Sequence, residues 1–182
     1  WSGVASHPED SMSQQWRVGR GESSIAFSTW KMFFIPVSGE FDSWKAEVDY
    51  RPSELAETQI WVQIDASSVD TGNPMRDSHL RSSHFLDVEN HPSIAFRSTS
   101  VEQGGEDRAR VEGNLEIAGE NRSLTFDAER QRGSDRHVWS AQLEIDRYDW
   151  NVAMSRFLEG GGQLIGNILT IDLELVLRRQ EG

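Results

Sequence analysis

Apolar and polar residues alternate along most of this chain, and a period of two marks a strand with one buried face. Ile25 and Phe27 alternate with Ser24, Ala26 and Ser28, and Trp44, Ala46, Val48 and Tyr50 alternate with Lys45, Glu47 and Asp49. The pattern returns at Ile60, Val62 and Ile64, at Ile94 and Phe96, at Val111, Leu115 and Ile117 around Gly113, and at Leu124, Phe126 and Ala128. It is clearest at Trp139, Ala141, Leu143 and Ile145 and again at Leu169, Ile171, Leu173, Leu175 and Leu177. Turn signals separate these runs: Gln103-Gly104-Gly105-Glu106-Asp107, Gly119-Glu120-Asn121, Gly133-Ser134-Asp135 and Gly160-Gly161-Gly162. The spacing predicts about eight strands, all apolar on one face. Such a sheet must cover that face, so a sandwich and a closed barrel both satisfy the pattern.

One segment departs from this period. Asn73 can cap a helix, Pro74 suits its first turn, and Asp77 and Arg81 stand four apart, so a short helix is expected within 73–85. Residues 1–22 are polar and without period, and read as a lead-in that Trp16 anchors; residues 23–182 form the single domain.

Charge then narrows the partners. Thirty acids against eighteen bases give a net charge of −12, and the arginines are scattered, which argues against a nucleic-acid partner. Absence of cysteine removes disulfides, thiolate metal sites and cysteine nucleophiles. No apolar run is long enough for a membrane-spanning helix, and the first residues lack the order of a signal peptide.

Catalytic and metal constellations are sparse. His79, His84 and His91 lie close in sequence to several acids and are the candidate metal ligands, but residues five apart on a helix point away from one another. Ser83, His84 and Asp87 could be drawn as a triad, yet no nucleophile elbow surrounds them. Asp146 with Asp149 and Glu144 with Asp172 are carboxylate pairs of a kind that a chain this acidic produces by chance. Gly160-Gly161-Gly162 lacks the lysine and strand-to-helix setting of a phosphate loop. Seven tryptophans and eight phenylalanines supply rigid apolar surface, either to fill a barrel or to line a cavity within it.

Ser68-Val69-Asp70-Thr71-Gly72-Asn73, Met75-Arg76-Asp77, Leu80-Arg81-Ser82, Phe85-Leu86-Asp87-Val88, His91-Pro92 and Phe96 together resemble the central signature of the YceI-like family. Trp16 with Ser24-Ile25-Ala26-Phe27, Gly39-Glu40-Phe41, Gly113-Asn114-Leu115 and Arg147-Tyr148-Asp149-Trp150 extend that resemblance. It implies an all-β fold, an eight-stranded antiparallel lipocalin-like barrel with a short helical insertion. It further implies a periplasmic or secreted, often dimeric, protein whose tunnel binds a polyisoprenoid, isoprenoid quinone or fatty-acid-like lipid, with no cofactor and no catalysis. Lys31, His91 and Trp150-Asn151 depart from the family's usual residues, and Trp30 and Trp150 are candidates for narrowing the tunnel.

From the strand phase and this resemblance, the expected lipid-binding wall is Phe27, Phe41, Trp44, Val62, Phe85, Phe96, Phe126, Trp139, Leu143, Trp150 and Leu173. A polar headgroup would meet Arg76, Asp77 and Arg81 near the helix, unless these pair with one another.

Overall fold

The computed structural model describes residues 16–31, 35–152 and 166–180; the glycine run at 160–162 and the lead-in up to residue 15 lie outside them. The described residues form β1 (Trp16–Val18), β2 (Ser24–Lys31), β3 (Ile35–Phe41), β4 (Trp44–Asp49), β5 (Gln59–Asp65), β6 (Val69–Asp70), α1 (Pro74–Arg81), β7 (Ser93–Gly105), β8 (Arg108–Ile117), β9 (Glu120–Arg132), β10 (Arg136–Asp146) and β11 (Ile168–Arg179). Every ladder is antiparallel, and the hydrogen-bonded path runs β4-β5-β7-β8-β9-β10-β11-β2-β3-β6.

The ends of that path meet through the chain itself. β3 continues through Asp42 and Ser43 into β4, and β5 continues through the turn Ala66–Ser68 into β6. Across this corner the Asp42 amide donates to the Ser68 carbonyl and the Asp65 amide to the Ser43 carbonyl. One bent lane therefore pairs with β2 at one end and β5 at the other, and the sheet closes as a barrel of eight lanes. Closure removes the exposed edges that an open sheet would carry.

β1 is the addition to this count. It pairs with the end of β11, Trp16 opposite Arg179, and so ties the described part of the expected lead-in to the barrel. Glu22 also ties back to Arg178 and Arg136. Three residues are too few for a period to show.

α1 starts as expected, with the Asn73 side chain accepting from the Arg76 amide and Pro74 in the first turn. It stops at Arg81, short of the expected 85, where the Ser82 amide closes on the His79 carbonyl. Asp77 and Arg81 do not pair. Asp77 is buried and accepts from the Thr71 amide and hydroxyl, Arg76 donates to Thr71, and Arg81 donates to the Ser67 and Val69 carbonyls. All three instead fasten the 67–71 segment to the helix.

Alternation fixes the inside. On β8, Ala109, Val111 and Ile117 are buried while Arg108, Arg110, Glu112, Asn114 and Glu116 face solvent. On β2, Thr29 takes the inward phase after Ile25 and Phe27, so Trp30 points outward and is 56% exposed. It cannot narrow the lumen.

Candidate functional site

The barrel interior is not filled. Two cavities occupy it, with about 1420 Å³ and about 840 Å³ of atom-free space counted into their openings. The wide chamber lies beneath α1 and the following loop, between Phe27, Phe41, Leu80, Phe85, Leu143 and Trp150. The narrow chamber lies toward the other end, between Trp44, Tyr50, Leu55, Trp139 and Leu177. Ile25, Val62, Phe96, Phe126 and Leu173 line both, so the chambers meet at this ring of residues.

All eleven residues expected at the wall stand on it. Phe27, Phe41, Phe85, Leu143 and Trp150 line the wide chamber, Trp44 and Trp139 the narrow one, and Val62, Phe96, Phe126 and Leu173 the junction. Sequence reasoning missed much of the aliphatic wall, including Ile64, Ile94, Ile117, Leu169 and Ile171. Their inward phase was readable; the choice of mainly aromatic candidates left them out.

Two glycines make the space. The ring of Phe96 lies over Gly113, where an added Cβ would sit 2.4 Å from its Cζ; the ring of Phe27 lies over Gly39, at 2.6 Å. Both glycines occupy inward positions on their strands, so each ring folds flat against the wall instead of projecting into the lumen.

The wall is apolar in the chemical sense as well. The polar lining residues of the wide chamber turn their heteroatoms into the protein: the Thr29 hydroxyl donates to the Ile168 carbonyl, Arg76 to Thr71, and Arg147 to the Val152 and Gly166 carbonyls. The Trp150 indole N–H donates to the Leu115 carbonyl at 2.9 Å. What these side chains offer the cavity is carbon. Of the residues expected at a headgroup, Arg76 lines the wide chamber, whereas Asp77 and Arg81 do not.

The narrow end is closed by a polar cluster behind Tyr50. The Tyr50 hydroxyl accepts from Arg130 at 3.1 Å and lies 2.7 Å from His137 Nδ1, Trp16 stacks on the His137 ring, and the Arg130 guanidinium lies over Trp139. With Arg130 donating to the phenol oxygen, the phenol proton is free to point at Nδ1, an arrangement that a neutral His137 protonated on Nε2 completes. Burial pushes the His137 imidazole below its ordinary value, and Arg130 and Arg132 push it further, against a smaller opposing effect of Asp107.

A pH dependence follows. The unfolded chain binds this proton near pH 6.5 and the folded chain only at lower pH, so the stabilisation is full above about pH 6.5 and is lost as pH falls through the folded value. The urea midpoint of the wild type is expected to decline over that range, before the carboxylates titrate. A His137→Gln variant, which keeps an acceptor for Tyr50, should show a flatter profile; equal slopes would assign the decline to other groups.

The histidines proposed for metal are not brought together. His79 and His84 are exposed, His84 beyond the end of α1, while His91 packs against Gly119 and stands 4.0 Å from Asp87. Among the described residues no group of three or more His, Asp or Glu is arranged to hold a metal ion. The Asp87 carboxylate accepts from Asn90, and the His84 amide donates to the Ser82 hydroxyl, so Ser83, His84 and Asp87 form no relay. Asp146 caps the Tyr148 amide and Asp172 accepts from Gln142.

Comparison with known proteins adds the following. Residues 16–177 match the family model described as a YceI-like domain. A UPF0312 protein of Vibrio cholerae is 27% identical over 153 residues, covering 84% of this chain and 79% of that protein. Among solved structures, BcnA of Burkholderia cenocepacia aligns with a TM-score of 0.81 at 21% identity, covering 88% of this chain and 99% of that one. A polyisoprenoid binding domain from Saccharophagus degradans, implicated in plant cell wall breakdown, aligns with a TM-score of 0.74 at 17% identity over 91% and 99% of the two chains. At these identities the structural likeness establishes the fold.

Proposed function

The chain belongs to the YceI-like family, and from that premise we propose that it binds a long-chain apolar lipid, a polyisoprenoid, isoprenoid quinone or fatty-acid-like molecule, within the barrel and carries or stores it. The observation that carries this reading is the continuous apolar wall: two adjoining chambers lined almost wholly by carbon, with Thr29, Arg147 and Trp150 of the wide chamber bonded within the protein. Water gains little from such a space, whereas each methylene moved into it contributes about 0.8 kcal/mol. Affinity then accumulates along the chain without a polar anchor.

The Saccharophagus degradans domain, a polyisoprenoid binding domain of the same fold, supports the same class of ligand here. In this reading the protein binds and does not catalyse, works as a periplasmic or secreted protein, and pairs as a homodimer. Its eleven wall residues from Phe27 to Leu173 contact the lipid directly. No helix among the described residues is long and apolar enough to cross a membrane.

The test is direct. Protein purified without detergent and extracted with organic solvent is expected to release one long-chain lipid at close to one molecule per barrel, identified by mass spectrometry. A protein that yields none, and whose melting temperature no lipid raises, would overturn the reading.

A further inference from the structure

The junction between the chambers is built by rings in contact. Phe96 and Phe126 have centroids 5.9 Å apart, and Phe96 is held flat over Gly113. Ile25 and Leu173 stand on β2 and β11, on the opposite side of the barrel from β7 and β9, so the passage runs between the two rings and these aliphatic side chains. Beyond it the narrow chamber ends at Tyr50 and Leu177, which are 2% and 1% exposed, with Trp16 packed on the outer side of Tyr50.

We propose that this junction and the closed end beyond it form a length ruler, with Phe96 and Phe126 as the specificity-determining residues. A short chain fills the wide chamber alone. A longer chain threads past the two rings, buries its tail in the narrow chamber and stops at Tyr50. The proposal rests on the lipid-holding reading above and adds to it the rule by which one chain length is preferred over another.

The geometry supports a ruler on three counts. First, the narrow chamber is reached from the wide one through a single ring of five residues. Second, Phe96 cannot swing back toward β8, because it already touches Gly113, so the passage has a fixed wall on that side. Third, the lining of β11 extends from Leu169 through Leu173 to Leu177, and at about 3.3 Å per residue each chamber takes roughly 13 Å of strand. The two halves are therefore comparable in depth, and reaching the second is a large step in buried carbon.

The experiment uses the full chain, stripped of lipid, with geraniol, farnesol and geranylgeraniol as probes, so that only the number of isoprene units changes. In the wild type, affinity is expected to rise by about tenfold or more with each added unit. In Phe126→Trp, which fills the passage, geranylgeraniol should lose far more affinity than geraniol, so that its gain over the shorter alcohol disappears. Ala141→Leu, which fills the narrow chamber from the strand position opposite Leu173, should give the same pattern, so the test does not depend on one variant folding.

Geraniol binding without any gain for the longer alcohols in the wild type overturns the ruler and leaves the lipid-holding reading standing. An equal loss at all three lengths in the variants also overturns the ruler. Failure of all three alcohols to bind overturns the lipid-holding reading itself.

Discussion

Trp150→Ala is expected to cost about 4 kcal/mol of folding stability, read as a lower urea midpoint at an unchanged slope. Trp150 is 4% exposed and packs with Ile117, Ile145 and Val152 in the main apolar cluster. Its ring closes the wide chamber where β10 gives way to the short helical turn Arg147–Trp150, and Asn151, in the left-handed region at φ 54, turns the chain away. The indole N–H also satisfies the Leu115 carbonyl of β8 across the lumen wall. Alanine removes both the packing and the hydrogen bond; phenylalanine removes chiefly the second, so Trp150→Phe should cost only about 1 kcal/mol more than its lost area accounts for. For a domain of this size a 4 kcal/mol loss lowers the melting temperature by roughly 10 °C. A loss under about 1 kcal/mol would mean that the wall collapses into the chamber and refills it. Trp150 then separates stability from binding: its removal enlarges the wide chamber, so a short alcohol should still bind to whatever fraction remains folded.

The strand pattern was legible because inward positions repeat at the second residue over long runs, from Ala109 to Ile117 on β8 and from Trp139 to Ile145 on β10, while on β7 the shift between Ser98 and Ser100 breaks the phase. Closure was not legible from the pattern. It depends on the bend at Asp42 and Ser43, two polar residues that read as an ordinary turn, and on the pairing of Glu40 with Asp70 and Phe41 with Val69, which is remote in sequence. The motif from Ser68 to Phe96 supplied the barrel because the residues it contains do the fastening: Thr71, Arg76, Asp77 and Arg81 hold α1 to the corner of the sheet. Trp16 read as an anchor, but what it anchors against was not legible, because its partners, Tyr50 and His137, lie far along the chain.

The site was legible to a similar depth. Inward phase placed the strand residues among the expected wall, whereas Phe85 and Trp150 lie on a loop and a helical turn, and the same alternation would describe a solid core. What separates a lined lumen from a filled one is where the rings lie, and the signal for that is a glycine at an inward position. Gly113 sits in phase with Val111 and Leu115, and Gly39 in phase with Val37 and Phe41, so both interrupt an apolar face and not a polar one. An inward glycine opposite an aromatic on the next strand, as Gly39 is to Phe27, or two residues along from that position, as Gly113 is to Phe96, is a readable sign of a ring lying over it.

That sign can be tested at Gly113, where alanine is expected to cost about 3 kcal/mol although it adds a single methyl group. The new Cβ would stand 2.4 Å from Phe96 Cζ and 2.6 Å from the Arg97 carbonyl oxygen. The ring can move only into the lumen. The carbonyl is fixed by the β7–β8 ladder, in which Ser98 is the partner of Gly113 and the register shifts between Ser98 and Ser100. The two contacts are separable: Phe96→Leu in the same chain relieves the first and leaves the second, so the double variant should recover part of the loss, about half, and not all of it. Full recovery would show that the strand backbone yields easily and that the ring alone demands glycine; no recovery would show that the backbone alone does. The single variant also ties stability to the lumen. With Phe96 displaced inward, the junction narrows, and geranylgeraniol should lose affinity relative to geraniol in the folded protein, as a flat Phe96 is what keeps the passage open.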